Sequence, residues 1–118
     1  MDAILQSKYG DIKINPKFIA KTAGLAACAS FGVVGMASVS IASGIAKLLS
    51  GDELTKGVMV EVVDNEIIIN LHIIVAYSVN VKACTDNVIE NVKYQVEETT
   101  KLRVKQINIY VEGIRLVD

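Results

Sequence analysis

A chain of 118 residues has room for one domain of ordinary size. With 52% hydrophobic residues it can build a core without disulfides or metal, which excludes a disordered adaptor. A formal net charge of -1, with 12 basic residues never adjacent to one another, excludes a global field for nucleic acid or anionic lipid.

The first residues, Met1 to Leu5, lack the basic and apolar regions of a signal peptide, and residues 1–8 are expected to be a loose segment. A short strand is expected over Tyr9–Ile14. Asn15-Pro16 then opens a helix: Asn is a good N-cap, and proline suits the first helical position, where its missing N–H costs nothing. Phe18, Thr22, Leu25 and Ala29 recur at helical spacing as the buried stripe. Gly32 stands where the helix end needs a left-handed residue. Thr22 to Ala46 carries no charge, but Ala, Gly and Ser dominate and contribute little insertion energy, so no membrane span is expected. Val33 to Met36 reads as a short apolar link, Ile41–Leu49 as a second helix, and Gly51–Lys56 as a loop.

The strongest pattern follows. Val58, Val60 and Val62 alternate with their neighbours, Asp64-Asn65 makes a turn, and Ile67, Ile69, Leu71, Ile73 and Val75 alternate with Ile68, Asn70, His72 and Ile74. Two such runs around a two-residue turn describe a β-hairpin. An amphipathic helix is expected over Lys82–Thr99, burying Val81, Thr85, Val88, Val92 and Val96. A last strand runs over Arg103–Glu112, with a bulge or bend at Gly113. A helix between two strands permits them to lie parallel. The expected fold is α+β: one domain over residues 1–118, a two-layer sandwich whose mixed sheet of three to four strands has helices on one face.

If the odd residues of the hairpin strand join Ile107, Ile109 and Val111 in the core, the other sheet face carries Ile68, Asn70, His72 and Ile74 with Gln106, Asn108 and Tyr110, and Glu112 beyond them. Tyrosine, amides and aliphatics together are common at interfaces. The face is therefore a candidate for docking a partner or a second copy. A solvated sheet face with a few apolar residues is the competing interpretation.

No catalytic constellation is visible. His72 is the sole histidine, and no nucleophile or metal partner is identifiable beside it. Cys28 and Cys84 form no metal or redox motif and read as small buried hydrophobes. Gly32-Val33-Val34-Gly35 matches neither phosphate-binding glycine pattern. Glu97 and Glu98 read as solvated charge. No cofactor, metal ligand or enzymatic activity is expected.

Gly10 to Ile14, Phe31 to Met36, Lys56-Gly57-Val58, Ile73 to Tyr77, Asn87 to Tyr94 and Asn108 to Gly113 stand in the order and spacing of the alkaline shock protein, or envelope stress response, family of Gram-positive bacteria. The chain resembles that family from about Lys8 to Leu116, and most resembles its YloU-like branch. The resemblance implies a non-enzymatic cytoplasmic scaffold for envelope stress or homeostasis. Such a protein would be a homo-oligomer, held at the membrane periphery through a membrane-anchor protein. The alternative it implies is a regulatory partner of a lipid-metabolism enzyme, such as a dihydroxyacetone-kinase-like fatty acid kinase. Asn80-Val81-Lys82 departs from the proline that many members place before the long helix.

Overall fold

A computed structural model describes residues 2–39, 46–49 and 51–116. The elements are β1 (Ala3–Ser7), β2 (Gly10–Ile14), α1 (Pro16–Cys28), β3 (Val33–Val39), β4 (Ala46–Leu48), a 3-10 segment (Gly51–Gly57), β5 (Val58–Val63), β6 (Glu66–Ala76), α2 (Val81–Thr100) and β7 (Val104–Arg115). Five strands form the main sheet, and β1 pairs with β2 as a separate hairpin. Both helices lie on one face, as a two-layer α+β fold requires.

The β5–β6 hairpin follows from its turn. Asp64 and Asn65 have φ of 50° and 61°, the left-handed pair whose twist matches that of the flanking strands. The register Val62↔Ile67, Val60↔Ile69, Val58↔Leu71 places branched aliphatic residues opposite one another on the helix side. Ile67, Ile69, Leu71, Ile73 and Val75 are all fully buried, each contributing about 1.5–3 kcal/mol of apolar burial. One edge of β6 carries β5 and then β3, both antiparallel. Its other edge carries β7 in parallel, reached through the α2 crossover.

Asn15 caps α1 by accepting from the Lys17 N–H at 2.8 Å. The buried face of α1 is the reverse of the expected one. Ile19, Ala20, Ala23, Gly24, Ala26 and Ala27 are buried, while Phe18 and Leu25 are about half exposed, Thr22 is half-buried and Ala29 is exposed. The reason is close approach: a Cβ on Gly24 would lie 3.5 Å from Val58 and 3.9 Å from Leu54. Small residues let the helix settle onto the sheet, and the large ones are turned outward. In α2 the buried stripe is Cys84, Val88, Val92, Val96 and Thr100 at a strict four-residue interval. Val81 is 42% exposed, and Thr85 is half-buried. Asn80 caps this helix through the Ala83 N–H at 3.0 Å, so the departure from proline costs no cap.

Five other expectations are corrected. Residues 1–8 are not loose: β1 pairs with β2 from Ala3↔Ile14 to Ser7↔Gly10, and Ala3 is fully buried. The amide of Asn65 holds this hairpin from a distance, accepting from the Ile4 N–H at 2.9 Å and donating to the Ile4 carbonyl at 2.8 Å. The link at Val33 to Met36 is the start of strand β3, and Ala46–Leu48 is strand β4 in place of the end of a second helix; residues 41–45 of that expected helix lie outside the described residues. The sheet therefore has five strands, one more than the expected maximum. The loop at Gly51 is a 3-10 segment.

Gly32 is left-handed at φ +87°, three residues beyond the α1 C-cap Ala29, and a Cβ there would meet Val79 at 2.7 Å and Cys84 at 3.1 Å. Gly32→Ala is expected to destabilise the fold by about 2–4 kcal/mol, from both backbone strain and overpacking, measured by urea denaturation. Asn65→Gly keeps a residue suited to the left-handed turn but removes the grip on β1. It is expected to speed amide hydrogen exchange at Ile4 while leaving the β6 core amides protected.

Candidate functional site

The sheet face away from the helices assembles as the alternation implies. Parallel register sets Ile68 beside Gln106, Asn70 beside Asn108 and His72 beside Tyr110. Antiparallel register on the other side brings Met59 to Asn70 and Glu61 to Ile68. Met59, 60% exposed, is thus a member of this face that the hairpin pattern alone did not single out.

Side chains on this face partner one another. Gln106 Nε2 donates to Asn108 Oδ1 at 2.9 Å, and Asn108 Nδ2 donates to Asn70 Oδ1 at 2.8 Å. The His72 ring stacks on Tyr110 with centroids 4.7 Å apart and planes 13° from parallel. His72 Nδ1 contacts Glu112 Oε2 at 2.5 Å. Glu112 reaches the histidine because the register slips there: Ile73 aligns with Val111 but Ile74 aligns with Gly113. The bulge expected at Gly113 thus makes Glu112 the extra residue. The imidazole is held by Glu112 at Nδ1 and by the Tyr110 ring on one face, and the surface is a half-exposed platform rather than a cavity.

Two residues keep their expected side of the sheet but not their expected exposure. Ile74 is 3% exposed, buried on its own side of the sheet and so not available to a partner. Its neighbours on both flanking strands are Gly35 and Gly113, and Leu48 lies across Gly35, 2.8 Å from where a Cβ would stand. Val111, expected in the core, is 37% exposed, and Ile107 and Ile109 are only half-buried. The helices cover β6 and leave β7 at the margin.

A family model described as having a cell envelope-related function, that of alkaline shock protein 23, matches residues 5–116. The chain belongs to this family. It is 39% identical to the uncharacterized protein YloU of Bacillus subtilis (strain 168), over 100% of this chain and 99% of that protein. It is 33% identical to the uncharacterized protein Spy1614 of Streptococcus pyogenes serotype M6, over 99% and 98%. Among solved structures, a MamM CTD variant in a zinc form aligns over 87% of both chains with a TM-score of 0.50 and 14% identity. That likeness is one of fold alone.

The family segment Phe31 to Met36 leads into β3 and leaves Phe31 82% exposed. On the helix side of the fold, the outward stripe of α1 forms one wall of a cleft of about 540 Å³, with Thr22, Leu25 and Ala29 facing Asn91 and Tyr94 of α2. Asn91 Nδ2 donates to Ser30 Oγ at 2.9 Å, tying the end of α1 to α2. Glu97 is not simply solvated charge: its carboxylate accepts from the Val104 N–H at 2.9 Å and fixes the start of β7. Among the described residues no three His, Cys, Asp or Glu side chains converge as a metal site, and no helix is long and apolar enough to cross a membrane.

Cys28 and Cys84 are free thiols, half-buried and buried. Burial raises both above the ordinary 9.0, with a Met36 backbone hydrogen bond opposing the rise at Cys28. A raised thiol pKa stabilises the folded state in full below the unfolded value, and that contribution is lost as pH rises through the folded pKa. Urea denaturation from about pH 8 to about pH 10.5 is expected to show stability falling with pH, less steeply in Cys28→Ala/Cys84→Ala. Separately, Tyr110→Ala removes the stacked partner of His72 and is expected to cost about 0.5–1.5 kcal/mol in the same assay.

Proposed function

We propose that this chain is a non-enzymatic accessory protein of the cell envelope that acts by protein contact through its open sheet face. The observation that supports the reading is the flat, half-exposed surface across which Asn70, His72, Asn108, Tyr110 and Glu112 brace one another. A group that abstracts a proton or attacks a substrate works inside a pocket that holds the substrate against it. Here the polar groups brace one another and hold a flat surface of amide, aromatic and aliphatic character, with Ile68 and Met59 at its rim. Such a surface suits a protein partner. The family's envelope-related description supplies the setting. In this reading the protein works in the cytoplasm, associates with itself, and meets the membrane through an anchor protein.

Tyr110→Ala combined with Met59→Ser tests the face without touching the interior. Recovery of partners from native lysate, read by mass spectrometry, is expected to fall at least roughly tenfold for the double variant, the effect of losing an interface anchor. Self-recovery with a membrane anchor supports the scaffold. A stoichiometric lipid-metabolism kinase as the recovered partner would make the protein that enzyme's regulator instead. Undiminished recovery by a folded double variant would remove the face from consideration.

A further inference from the structure

We propose that the outer edge of β7 docks a second copy of this chain, antiparallel and centred on Ile109, so that two sheets join into one. The proposal rests on the self-association in the reading above and gives it a site distinct from the open face. Among the described residues β7 pairs with β6 alone, so its far edge has no strand partner.

The backbone shows which groups that edge presents. In a parallel ladder one residue directs its N–H and C=O to one side and the next directs them to the other. The carbonyls of Arg103 and Arg115 accept from the N–H groups of Ile67 and Tyr77, whereas the Ala76 N–H donates away from β7, to Gly32. Odd residues of β6 therefore face β7. It follows that Gln106, Asn108 and Tyr110, level with even residues of β6, bond inward. Ile107, Ile109 and Val111 turn their backbone groups outward.

A two-fold pairing about Ile109 uses all three. Ile109 meets Ile109 of the second copy, and Ile107 meets its Val111. The same three side chains lie on the helix side, where the helix layer leaves them partly uncovered; joined across the axis they make one continuous apolar row. On the open side Asn108 meets Tyr110, and Gln106 meets Glu112. The regular run is bounded by register slips at Lys105 and Glu112. Antiparallel alignment sets the end that carries Lys105 beside the end that carries Glu112, while parallel alignment would set like ends together. Exposed edges are usually guarded by proline or lysine, and Gln106 to Val111 holds neither.

The ladder is short beside the roughly 800 Å² per partner of a standard stable interface, so the dimer forms with rising concentration. Sedimentation equilibrium from about 10 μM to about 1 mM is expected to show the mass climbing from one chain toward two. Ile109→Pro deletes an outward N–H and leaves the bonds to β6; Val111→Lys places a charge against Ile107 of the second copy. Each is expected to weaken association at least roughly tenfold. Oxidised Asn108→Cys/Tyr110→Cys is expected to yield an intermolecular 108–110 disulfide by peptide mapping, and Asn108→Cys alone to yield no 108–108 link. A wild-type mass that stays monomeric throughout overturns the proposal, as does a dimer that persists in folded Ile109→Pro and Val111→Lys. If the wild type is monomeric while partner recovery still depends on Tyr110, the edge fails and the face stands. If association is lost on the edge substitutions while recovery is indifferent to Tyr110, the edge stands and the face fails.

Discussion

Everything in this fold leans on β6. Five consecutive odd-numbered side chains, Ile67 to Val75, are sealed from water, and its backbone pairs with three strands. A one-residue slip would send that apolar row to the open face and bring Asn70 and His72 inside, where they would lack partners. The Asp64-Asn65 turn fixes register at one end. The glycines on either side of Ile74 accommodate the one even-numbered residue of the strand that is also buried.

The surfaces available to partners follow from the way β6 is satisfied. Its helix side draws both α1 and α2, so the opposite side of the sheet has no covering layer among the described residues. One edge is shared by β5 and β3, and only the other accepts a strand of full length. That strand, β7, is consequently a margin of the molecule: level with β6 in register, yet only partly covered by the helices. The open face and the free edge are two results of covering one strand on one side.

Much of this was legible because it was local. The Asp-Asn turn, the strict alternation on either side of it and the Asn-Pro helix start are decided by neighbours in sequence, and the pairing of Asn70 with Asn108 and His72 with Tyr110 follows once the last strand is parallel. The missed features depended on distance or on small side chains. In α1 the bulky residues looked like core, but Gly24 and the alanines bring the backbone close to Val58 and Leu54, and so the wide residues point out. Strands β3 and β4 lie in a stretch rich in Ala, Gly and Ser, whose weak intrinsic strand preference is overridden by pairing with β6 and with each other. Ile74 kept the parity of a surface residue, since nothing nearby in sequence announces that glycines will flank it. The bulge that lends Glu112 to His72 is equally silent.

The grip of Asn65 on the Ile4 backbone also bears on the order of events in synthesis. The two residues are 61 positions apart. On a ribosome adding about 5–20 residues per second, the β1–β2 hairpin emerges seconds before the turn that holds it. An isolated two-stranded hairpin is marginal in water, so this earlier-made piece waits without that anchor. That contact can form only once the β5–β6 turn has closed, so the hairpin gains this hold after a turn translated later than itself.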